Sequence, residues 1–170
     1  IGMILATSYL SLAFLFQDIV HQRFDRVLKN KGISAQQMMI RPTPFNILVW
    51  GATIDTGDSL LFAYSSLFDQ DDAVTLSSKI TKDLFHLDSI QDWKSIKILR
   101  HISKDYIVVR PIEKGFVIRD GRFGRFGGWA LEDPPFIFNY QLDLASRMVD
   151  YERPPMPDSK MLLKKLIQRI

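Results

Sequence analysis

The spacing of hydrophobic positions changes several times along the chain, and each change marks an element. Residues 1–16 (IGMILATSYLSLAFLF) contain no charged residue. As a helix they would span roughly 24 Å, short of the roughly 30 Å core of a bilayer. Because the chain opens on Ile rather than Met, the run is expected to be the remaining part of a transmembrane helix. It lacks the basic flank and small-residue cleavage site of a signal peptide. The alternative is a buried N-terminal helix of a soluble protein. Beyond Gln17 and Asp18 the spacing turns amphipathic: Ile19, Val20, Phe24, Val27 and Leu28 share a stripe, and Gly32 is placed to stop the helix. Arg23, Arg26, Lys29 and Lys31 are assigned to its polar face, so residues 1–32 read as the end of a membrane span continued by a basic stalk.

From Arg41 the pattern shortens to that of strands. Pro42-Thr43-Pro44 forces an extended approach to a β-rich run ending at Ile54. Thr56-Gly57-Asp58 then turns it into a second strand, Ser59 to Phe68. Between Thr81 and Ser103, Leu84, Leu87, Ile90, Trp93, Ile96, Leu99 and Ile102 step by three, which predicts one or two helices. Tyr106 to Ile112 and Gly115 to Arg119 form a further hairpin. A glycine-rich loop is expected over 121–128, and Phe136 to Leu142 alternates as a last strand. Pro154, Pro155 and Pro157 space off a short amphipathic helix, Ser159 to Ile170. The sum is an α+β fold: an antiparallel sheet of about five strands (41–150) with a helical insert, a long helix before it and a short helix after it (151–170).

Composition narrows the chemistry. The 170 residues include no Cys, which excludes disulfides and thiolate metal sites. A formal net charge of +3 is too small to argue for nucleic acid. Its basic excess sits at the two ends, with a mildly acidic middle. By the positive-inside rule, the basic stretch after the apolar run places the following domain in the cytoplasm, at the inner membrane. The basic last helix could either dock on the core or lie on an anionic membrane.

No local motif completes a catalytic constellation. His21, His86 and His101 lie too far apart for HxH or HExxH spacing. Asp69, Asp71 and Asp72 open like a calcium loop, but Val74 and Ile80 occupy the places of its glycine and glutamate. Ser65 and Ser66 have no local base and no G-x-S-x-G context. The segment GRFGRFGG (121–128) lacks the Lys-Ser/Thr of a phosphate loop. Its two Arg-Phe pairs are too few to favour base stacking over a tight β-connection.

Two segments together carry a resemblance. PTPFNILVW (42–50), followed by FAYSSLFD (62–69), and later FVIRDGRFG (116–124), followed by FIFNYQL (136–142), stand in the order seen after a transmembrane helix and basic stalk. In this the chain, from about Ser8 to Leu142, resembles the YdjM-like family of LexA-binding, inner-membrane-associated metal-dependent hydrolases. The resemblance implies the cytoplasmic C-terminal domain of a membrane-bound hydrolase. That domain would be accessory to a divalent-metal site in a membrane-embedded half outside these residues, so neither a catalytic residue nor a metal ligand is assigned here. The motif positions it marks are Pro42, Thr43, Pro44, Asn46 and Trp50, with Asp120, Arg122, Phe123 and Gly124. Where the family carries an apolar residue between the aspartate and the arginine, this chain has Gly121, which is expected to loosen the strand end.

Read physically, Asn46 can bond the turn backbone and Trp50 can anchor it, while Asp120 and Arg122, two apart on a strand, can pair. The two motifs are expected to meet at one end of the sheet. The alternative to the hydrolase reading is a non-catalytic module at the membrane surface that binds a protein or lipid headgroups. Self-association through the exposed apolar N-terminus is expected away from lipid.

Overall fold

The computed structural model describes residues 2–44, 46–70, 73–155 and 157–169. A single helix, α1 (Gly2–Asn30), runs through both the apolar run and the amphipathic stretch, 29 residues or about 43 Å. It is long and apolar enough to cross a membrane. Gly32, with φ +65°, ends it. The Ile33 amide reaches back to the Leu28 carbonyl (2.9 Å) and the Gly32 amide to that of Lys29 (3.1 Å), so the last turn's carbonyls are satisfied.

The β-structure is two four-stranded antiparallel meanders rather than one five-stranded sheet. The first comprises β1 (Gln37–Pro42), β2 (Val49–Asp55), β3 (Ser59–Ser66) and β4 (Thr75–Thr81); the second comprises β5 (Ile107–Ile112), β6 (Gly115–Arg125), β7 (Phe136–Asp143) and β8 (Val149–Glu152). Between them lie a 3₁₀ helix (Leu84–Ile90) and α2 (Lys94–Ser103), and α3 (Ser159–Arg169) closes the chain. The step of three read in the sequence fits the 3₁₀ helix, in which residues three apart eclipse.

Each sheet buries both faces. One face of the first sheet packs Trp50, Ala52, Ile54, Leu61 and Ala63 against Val20, Phe24 and Leu28 of α1. One face of the second packs Ile107, Val109, Ile118 and Leu142 against Leu87, Ile90, Ile96 and Leu99. Leu60, Phe62, Tyr106, Val108 and Phe136 fill the space between the sheets, with the rings of Phe62 and Phe136 edge-on at 5.7 Å. The layers therefore run α1, sheet, sheet, helical insert.

Three expectations are corrected. β4 does not stand out in the sequence because its alternation is interrupted: Phe62 pairs with Ser78 but Ala63 with Leu76, leaving Ser77 as an extra residue. That bulge lets Leu76 face α1 while Ile80, of the same parity, faces the other sheet. The glycine-rich segment is not simply a loop, since β6 continues through it to Arg125. Nor is Gly121 loose. Its amide donates to the Tyr106 carbonyl (2.7 Å), its carbonyl accepts from Thr53 Oγ1 (2.9 Å), and a Cβ there would lie 2.6 Å from Leu60 Cδ1.

Lys82 knits the sheets together. Its amide donates to Asp58 of the first and its carbonyl accepts from Val109 of the second, both at 2.8 Å. Its ammonium meets the buried carboxylate of Asp55 at 2.8 Å.

Gly121→Ala is expected to lower the unfolding free energy by about 1–3 kcal/mol, because the added methyl meets Leu60 and the Tyr106 carbonyl inside a filled layer. A shift of the urea midpoint in detergent measures it; an unchanged midpoint would show that the sheets can part there at no cost.

Candidate functional site

The Pro42–Trp50 turn is built by Asn46. Its carboxamide oxygen accepts from the amides of Leu48 (2.9 Å) and Val49 (2.7 Å), and its nitrogen donates to Thr43 Oγ1 (2.8 Å). Thr43 in turn donates to the Val49 carbonyl (3.0 Å) and Trp50 Nε1 to that of Ile47 (2.8 Å). Phe45 lies outside the described residues.

Across from this turn, β6 and β7 fall out of register. Asp120 pairs with Phe138 and Arg125 with Phe136, so residues 121–124 stand opposite Ile137 alone. The surplus chain swells toward β1, with Gly124 at φ +71°. A cleft of about 210 Å³ opens between them, lined by Met39, Arg41, Pro42, Thr43 and Pro44 on one side and Arg122, Phe123, Gly124, Arg125 and Phe126 on the other. Gly51, Thr53, Tyr64 and Trp129 are also among its lining residues.

Of the marked positions, then, Pro42, Thr43 and Pro44 meet Arg122, Phe123 and Gly124 at this cleft. Asn46 shapes the turn beside it, Trp50 packs on the opposite face against α1, and Asp120 stands behind Arg122.

Charge in the cleft is one-sided. Asp120 is 1% exposed and accepts from the Arg122 backbone amide (2.9 Å), Nε (3.0 Å) and Nη2 (2.6 Å). That bonding holds the Arg122 guanidinium charged, with its pKa pushed up. Arg41 differs. Partial burial pulls its pKa down from the usual value, and the neighbouring Arg122 adds to the fall. The guanidinium carbons of Arg41 and Arg122 lie 4.6 Å and 5.3 Å from the centroid of the Phe123 ring. Sequence spacing offered no signal for Arg41, because only the β6 bulge brings Phe123 to it.

Most of the remaining polar groups in the lining are committed, but the buried Trp129 Nε1 and Arg125 Nε have no hydrogen-bond partner. Thr43 and Thr53 donate to backbone carbonyls, and the Tyr64 hydroxyl donates to the Arg125 carbonyl (3.3 Å). Burial pushes the Tyr64 phenol up to about 12. Arg125 bonds Ser78 and pairs with Asp133. No carboxylate, histidine or serine is among the described residues that line the cleft. The chemistry these groups can perform is to hold an anion or an acceptor-rich group against aromatic and proline walls.

The other candidates stay apart. His21 pairs with Asp25 on the surface, and His86 stacks between the rings of Phe85 and Phe116. Ser65 and Ser66 are buried partners of Arg23. Asp69 binds Arg169, while Asp71 and Asp72 lie outside the described residues. Among the described residues no three His, Asp or Glu side chains are grouped to hold a metal ion.

Arg122→Gln strands the buried Asp120 carboxylate and is expected to cost about 3 kcal/mol. Arg41→Gln removes a repulsion together with a cation–π contact to Phe123, and is expected to change stability by less than about 1 kcal/mol. Denaturation midpoints of the two variants test the contrast, and the reverse order would contradict it. No family model matches the chain, and no curated protein or solved structure matches it.

Proposed function

We propose that this chain is a membrane-anchored accessory domain that recognises an anionic group in the Arg41 cleft and does not itself catalyse a reaction. The observation that carries the reading is α1. Met3, Ile4, Leu5, Leu10, Phe14 and Leu15 of its first half are exposed, while Val20, Phe24, Val27 and Leu28 of its second half are buried in the body. So large an apolar surface calls for lipid or a partner, and a helix that leaves it to enter a core directly holds that core at the bilayer. Arg26, Lys29 and Lys31 follow the apolar segment and favour the cytoplasmic side of the inner membrane.

The chemistry of the cleft supports binding over turnover, since no carboxylate, histidine or serine is among the described residues that line it. The resemblance to YdjM-like hydrolases offers a setting for such a domain, beside a membrane-embedded half that carries the divalent metal and the hydrolysis.

The chain is expected to float with phosphatidylcholine–phosphatidylglycerol vesicles and to stay with them through an alkaline carbonate wash. The variant Leu5→Glu/Leu10→Glu/Phe14→Glu is expected to be released by the same wash. Release of both would mean that α1 is not inserted.

A further inference from the structure

The helix α3 is amphipathic twice over. Leu162 and Leu166 are buried, with Leu162 packed where Gly127 leaves room beside Leu131. At 100° per residue, Leu163, Ile167, Lys160 and Lys164 form a second sector turned away from that stripe. Leu163 is 55% exposed and Ile167 67%. A helix that only capped the core would need no apolar pair on its outer side.

Its position relative to α1 is fixed by a chain of polar contacts. The Arg169 guanidinium bonds both oxygens of Asp69 (2.5 and 2.6 Å), and Asp69 also accepts the Ser66 amide (2.7 Å). The Ser66 carbonyl accepts Arg23 Nη1 of α1 (2.5 Å). The end of α3 is thus tied to the turn of α1 that holds Arg23. From Arg23 to Phe16, the last residue of the uncharged run, is seven residues, about 10 Å along the helix. The headgroup layer of one leaflet is roughly 5–8 Å deep, so this junction stands at its outer edge. Phe68, beside Asp69, is 67% exposed at the same end of the molecule.

We propose that the outer face of α3, together with Phe68, rests on the anionic lipid surface into which α1 inserts. The inference rests on the membrane reading above. Leu163, Ile167 and Phe68 supply the apolar contact, and Lys160 and Lys164 beside them fit phosphate-bearing headgroups. The polar chain through Asp69 and Ser66 ties this helix to the turn of α1 next to its exposed apolar flank, and the charge of the surface matches lipid rather than a basic protein. Two attachments to one bilayer would hold the body in a single orientation, where α1 alone would leave helix and body free to tilt and turn together.

The absence of native cysteine makes the test direct, because one introduced Cys carries one spin label. Leu10→Cys, Ile167→Cys and Glu113→Cys, the last at the β5–β6 turn, are labelled in the full chain. Each is reconstituted in phosphatidylcholine–phosphatidylglycerol vesicles, and accessibility to oxygen is compared with that to a water-soluble nickel complex. The expected result is a buried Leu10 label and an Ile167 oxygen-to-nickel ratio several-fold above that at Glu113, falling when phosphatidylglycerol is omitted. A buried Leu10 label with Ile167 equal to Glu113 overturns the inference and leaves the anchor standing. Spin–spin broadening at Ile167 also overturns it, in favour of a second copy on this face. A water-exposed Leu10 label would remove both readings together.

Discussion

A guanidinium can be buried only where acceptors await it, and Arg23 is 5% exposed on the inward stripe of α1, between Val20, Phe24 and Val27. The end of β3 supplies those acceptors in Ser65 Oγ and the Ser66 carbonyl. The contact sets both the rotation and the height of α1 against the first sheet, since one turn of slip would carry the charge into the apolar layer. Everything N-terminal to it inherits that alignment, so the exposed apolar half of the helix leaves the body at a defined place. The same strand end receives Asp69 and, through it, α3.

A second constraint shapes the cleft. The two sheets approach closely enough at Gly121 that its carbonyl meets Thr53 of the first, while its amide extends the β5–β6 ladder to Tyr106. Having passed this contact, β6 cannot stay in register with β7, and the surplus residues 121–124 are displaced toward β1. The charge pattern of the cleft follows. Arg122 is held by Asp120, Arg41 is left beside it with partial burial, and Phe123 lies within reach of both. The stability of the sheets and the composition of the site are two consequences of one crowded crossing.

How far the sequence foretold this depends on how regular each segment is. The β2–β3 and β5–β6 hairpins, β7 and both terminal helices show long periodic runs with turn residues at their ends, and their positions could be read directly. β1 is short and ends on Pro42, β4 is broken by the Ser77 bulge, and β8 is an exposed edge with little apolar content, so none stands out. The partition into two sheets lies beyond reading from hairpins alone, because a hairpin does not say which strand lies beyond it. Asp120 and Arg122 were readable as a pair from their spacing. Arg23, by contrast, reads as part of a solvated face because it is basic, and only Ser65 and Ser66 at a strand end, far away in sequence, show why it turns inward.

The proposed anchoring requires α1, one continuous helix long and apolar enough to cross a membrane, to join bilayer and body as an uninterrupted rod. Hydrogen exchange of its amides in the vesicle-reconstituted chain tests this most directly. The account predicts continuous slow exchange from the apolar run through Gln17 and Asp18 to Leu28, with no break. A fast-exchanging segment between Phe16 and Val20 would contradict it, separating a membrane anchor from a domain hung on a flexible tether.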